Sequence, residues 1–98
     1  MIESEELSIY PGGDLVLRGL EDLERGDASV EALLLMIAAR RLRRLGFTIN
    51  PLPNISHPYE HALFGKLQER NPARALVEYN ALIGRIVSFA QTYGRGKG

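Results

Sequence analysis

The sequence predicts an all-α fold: a small four-helix bundle-like domain with a long C-terminal helix and a Pro-rich crossover between helices two and three. Three observations predict it. Apolar residues recur at spacings of three and four in four segments, the period of a helix face. Each segment opens on a cap or proline signal (Asp14, Ser29, Pro58, Asn71-Pro72), and Gly26, Gly46 and Gly94 close three of them. The 98 residues, 45% of them apolar, suffice for one modest core and no second domain. The domain is therefore read as 1–98, with 1–13 an extended arm and turn and 94–98 a flexible tail. No β-sheet is expected beyond a short arm pairing at residues 6–10.

Tyr10-Pro11-Gly12-Gly13 has Pro second and Gly third, the order a type II turn favours. Asp14 then reads as the N-cap of helix one, over 15–25, with Val16, Leu20 and Leu23 inward and Arg18, Glu21, Asp22 and Arg25 outward. Ser29 caps helix two, over 30–45, where Ala32 to Ala39 is apolar on every side and must be covered on every side. Two prolines, Pro51 and Pro53, forbid a helix in the crossover 47–56, and Phe47, Ile49, Leu52 and Ile55 turn it toward the core. Pro58 suits the first position of helix three, over 58–69. Helix four, over 72–93, spans about 33 Å, and Leu76, Tyr79, Ile83, Ile86, Ala90 and Tyr93 recur along it at 3-4-3-4-3.

The net charge of zero conceals an asymmetry. Residues 1–31 hold nine acids against two bases, a net of −7, and residues 32–98 hold ten bases against three acids, a net of +7. Such a division points to complementary faces within one molecule or between two, or to a basic patch with a partner. The absence of cysteine excludes disulfides and thiolate metal sites. An acidic N-terminus and the lack of a long apolar run argue against a secretory leader and a membrane span, so the cytoplasm is the expected location.

His57-Pro58-Tyr59-Glu60-His61 spells H-x-x-E-H, the inverted zinc-protease pattern. Pro58 leaves His57 off the helical spiral, and only Glu69 and Glu78 follow as further carboxylates, so no metal, cofactor or catalytic residue is assigned. The remaining serines have no positioned base beside them, and Asp14, Glu21, Asp22 and Glu24 read as a solvated face.

Arg40, Arg41, Arg43 and Arg44 place four guanidiniums in five residues. They fit phosphates, but a helix C-terminus favours cations without any ligand, and no aromatic side chain interleaves them to stack bases. Helix four carries an apolar band wider than one core requires, together with Ala81, Gly84 and Ser88 as a strip of small residues. Gly84 costs about 1 kcal/mol in a helix interior, a cost that close approach of another backbone offsets, either helix two of the same chain or a second copy of helix four. The reading is a self-associating interaction or accessory module, a two-fold dimer with Tyr79, Ile83, Gly84, Ile86, Val87, Phe89 and Tyr93 at its interface. The alternative is a nucleic-acid or other polyanion binder using the arginine cluster.

Overall fold

A computed structural model of the chain describes residues 7, 9–50, 52 and 58–97. Among them it has five helices and no strand: α1 (Gly13–Glu24), α2 (Val30–Ile37), α3 (Ala39–Arg44), α4 (Tyr59–Arg70) and α5 (Ala75–Lys97), the last preceded by a 3-10 turn, Pro72–Arg74. The all-α class therefore holds, while several boundaries move.

The turn before α1 forms as the sequence dictates. Gly12 has φ 79° and ψ 2°, the third-position geometry of a type II turn, and the Gly13 amide donates to the Tyr10 carbonyl at 3.0 Å. Gly12 rather than Asp14 is the N-cap. Asp14 lies inside the first turn, where its carboxylate pairs with Arg85 of α5 at 3.0 Å. The arm is not extended where it can be seen, since Leu7 is helical and wholly buried.

Helix α2 is the centre of the molecule and packs against α1, α4, α5 and α3. Val30, Ala32, Leu33, Leu34, Leu35 and Met36 are all buried, as an all-round apolar helix demands. Its closest neighbour is α1, and Gly19 makes that approach possible. A Cβ there would lie 2.6 Å from the Leu35 side chain and 2.8 Å from the Glu31 carbonyl oxygen. The expected single helix 30–45 is broken at Ala38, whose φ of −93° and ψ of 9° fall in the bridge region. The break separates the apolar α2 from the arginine-rich α3.

Ser29 caps α2, accepting from the Ala32 amide at 3.0 Å, and its hydroxyl also donates to Asp22 at 2.6 Å. Asp22 is thus not part of a solvated face. It is 6% exposed and takes a second bond from Arg25, so one carboxylate ties the end of α1 to the start of α2. Ser29→Ala removes both the cap and a partner of a buried carboxylate. Its expected cost is about 1–2 kcal/mol, read as a lowered urea midpoint.

The crossover packs down. Phe47, Ile49 and Leu52 are buried, and Arg43 donates to the Ile49 carbonyl at 2.6 Å; Ile55 lies outside the described residues. Pro58 is the extended N-cap of α4 rather than its first helical residue. Helix α5 does not stop at Gly94 but runs to Lys97, so the expected tail is helical there. Gly94 sits against Leu45, which a Cβ would meet at 3.3 Å. The Cα radius of gyration is 13.1 Å, the value for a close-packed chain of this length.

Candidate functional site

The two residue groups singled out in the sequence meet different fates. On α5, Phe89 and Tyr93 are not surface residues. They are 0% and 1% exposed and form an aromatic cluster with Tyr10 and Phe47, with ring centroids 5.1–6.0 Å apart. Ile86 is likewise buried at 2%. These three leave the expected interface, because the turn before α1 and the crossover cover the wide apolar band from within the same chain. Tyr79 is half-buried, edge-on to Phe64 at 5.9 Å. Burial, and secondarily the charge of Glu60, push its phenol above its ordinary pKa.

The outward face of α5 remains open. Val77, Ala81, Gly84 and Ser88 are all exposed, and Leu76 and Val77 are 62% and 59% exposed. Helix two is not the neighbour of Gly84: a Cβ there would meet nothing within 4 Å. Ile83 is half-buried and Val87 is 36% exposed, and both turn toward α3 rather than outward.

That flank forms one of the concavities among the described residues. A groove of about 400 Å³ lies between the α2–α3 break and the middle of α5. Its floor is aliphatic, with Ile37 and Ala38 on one side and Ile83, Ile86 and Val87 on the other. Its rim is Arg40, Arg41 and Arg44. The break at Ala38 positions these parts, since it ends the buried helix and starts the exposed one. Arg43 does not join them, being bound to the crossover carbonyl. Among the described residues, the guanidiniums of Arg40, Arg41 and Arg44 have no ion-pair or hydrogen-bond partner. The acids that do pair, Asp14, Asp22 and Asp27, go to Arg85 and Arg25.

A second, polar hollow lies where Asp22, Ser29, Arg18 and Arg70 converge, but its buried carboxylate is already satisfied by Ser29 and Arg25. Of the H-x-x-E-H residues, Glu60 and His61 are exposed on α4, and His57 lies outside the described residues. Ser8 and Ser56 lie outside them too. No three metal-ligating side chains gather among the described residues, and no helix there is long and apolar enough to cross a membrane. The arginine half of the groove is legible in the sequence. Its aliphatic half is not, because Ile37 and Ile83 are brought together only by the packing of α2 on α5.

Comparison with family models, with curated proteins and with solved structures finds no match for this chain.

Proposed function

We propose that this protein is a small self-associating interaction module, a two-fold dimer in which the outward face of α5 meets its copy. The observation that carries the reading is Gly84. It occupies a helix interior at a cost of about 1 kcal/mol relative to Ala, and no described residue comes within 4 Å of where its Cβ would be. With Val77, Ala81 and Ser88 it makes a shallow exposed strip on which a second backbone can lie closely. The opposed charges of the two chain segments favour a pairing in which each copy offers both signs.

Light scattering after size exclusion tests this, with an expected mass twice the chain's 10.9 kDa at tens of micromolar. Gly84→Ala separates the two roles of the glycine. The monomer should gain roughly 0.5–1 kcal/mol from helix propensity, while the dimer should dissociate at lower dilution. A wild-type mass of one chain would sink the reading, as would a Gly84→Ala dimer no weaker than the parent.

A second reading rests on a separate observation, the three guanidiniums of α3 that no described residue pairs: an anion-binding protein, with nucleic acid among the anions. No aromatic side chain lines the groove beside the arginine row to stack bases, which favours phosphate contact without base reading.

A further inference from the structure

We propose that the groove between α3 and α5 is a binding site for a free anionic amphiphile, one phosphate-type head group with an aliphatic tail. The inference rests on the anion-binding reading, not on self-association. Arg44 lies three residues from Arg41 and four from Arg40, a neighbour of both on the helix surface, so these like charges repel unless something answers them. No described acid forms an ion pair with them; Glu60 shares a hollow with Arg40 and Arg43 but lies beyond ion-pair distance. Directly beside them lie aliphatic side chains that the protein leaves partly uncovered: Ile37, Ile83 and Val87. Guanidiniums with an apolar trough adjoining match a ligand that is itself divided into anion and hydrocarbon.

Dimensions select the kind of ligand. The arginine rim runs from residue 40 to 44 and the α5 wall from 83 to 87, each about 6 Å along its helix. An amphipathic helix docks through anchors at i, i+4 and i+7, a reach of about 10 Å, and overruns such a site. A single head group does not. A phosphate monoester, carrying close to two charges and three acceptor oxygens, suits three forked donors better than a carboxylate. The volume of about 400 Å³ lies at the small end of ordinary ligand sites. A bilayer is a poorer occupant, because the trough is recessed between helices. Of the other exposed aliphatic residues on α5, Leu76 lies about 16 Å along the helix from Val87 and Val77 stands about 80° round it, so no broad apolar plane adjoins the arginines.

The experiment titrates the full chain with decyl phosphate below its micelle-forming concentration, followed by calorimetry and by the methyl resonances of Ile37, Ile83 and Val87. Inorganic phosphate, decyltrimethylammonium, anionic phospholipid vesicles and a short single-stranded oligonucleotide form the other arms. Decyl phosphate should bind once per chain, at least tenfold more tightly than inorganic phosphate or the cationic amphiphile. Arg41→Ala with Arg44→Ala should weaken it at least tenfold. Val87→Asp, on a partly exposed side chain, should do the same while circular dichroism shows the helices intact. Equal binding of the cationic amphiphile, binding to vesicles alone, or indifference to these substitutions would overturn the assignment. If the oligonucleotide binds through the arginines and decyl phosphate is no better than inorganic phosphate, the amphiphile falls and the broader anion reading stands. If no anion binds, both fall.

Discussion

Phe89→Ala is expected to destabilise the protein by about 3–5 kcal/mol, the range for deleting a large buried ring. A domain of this size holds about 5–15 kcal/mol in all, so the melting temperature should fall by roughly 15–30 °C. The ring is fully buried and lies 5.3 Å from Tyr93, 5.9 Å from Phe47 and 6.0 Å from Tyr10, centroid to centroid. Those partners come from three separated stretches: the turn before α1, the crossover and α5 itself. Emptying the site therefore loosens contacts that close the chain on itself, and the cavity cannot collapse without moving a turn. The outcome discriminates between two roles for α5. An interface residue changed to Asp yields a folded monomer, whereas Phe89→Asp should yield an unfolded or aggregated chain. Urea denaturation followed by circular dichroism, beside size exclusion, reads the difference. A cooperative, folded Phe89→Asp monomer with an unchanged midpoint would mean that the aromatic cluster does not hold the domain together.

That example shows where the sequence stops being informative. The period of α5 sets its existence and orientation, and the all-apolar run of α2 sets the centre of the core. Local signals with local consequences, such as the Gly12 turn, the Ser29 cap and the left-handed Gly26, appear in the structure where the chain places them. What covers an apolar band is a non-local matter. A wide apolar band on one long helix looks like an interface until Phe47 and Tyr10 are found against Phe89 and Tyr93. Asp22 fails for a related reason: its helix position says outward, but its partner Ser29 lies seven residues on, past the chain reversal. Gly94 is read as a stop, yet α5 carries through it, with Leu45 packed against it. The groove combines both cases. The rim is contiguous in sequence and visible, whereas the floor joins residues more than forty positions apart.

Gly12→Ala is the companion test, because it probes the same junction from the backbone side. Gly12 has φ 79°, which costs an L-residue about 1–2 kcal/mol. Its carbonyl also opens α1, accepting from the amides of Leu15 at 3.1 Å and Val16 at 3.2 Å, so the residue cannot relax by rotating without unwinding that turn. A Cβ there would lie 2.7 Å from the Arg85 carbonyl oxygen and 3.4 Å from the Phe89 Cβ. Both obstacles belong to the body of α5, and a helical backbone does not swing aside as a side-chain tip does. Overpacking of this kind adds about 1–3 kcal/mol, for an expected total of roughly 2–5 kcal/mol. Gly26 supplies the internal control. Its φ of 76° is nearly the same, but a Cβ there meets nothing within 4 Å. Gly26→Ala should therefore lose only the backbone part, about 1–2 kcal/mol. The difference between the two urea midpoints isolates the docking of the turn on α5. Equal losses would mean that the turn and the long helix are not in contact, and the covering of Phe89 and Tyr93 from within the chain would fail with it.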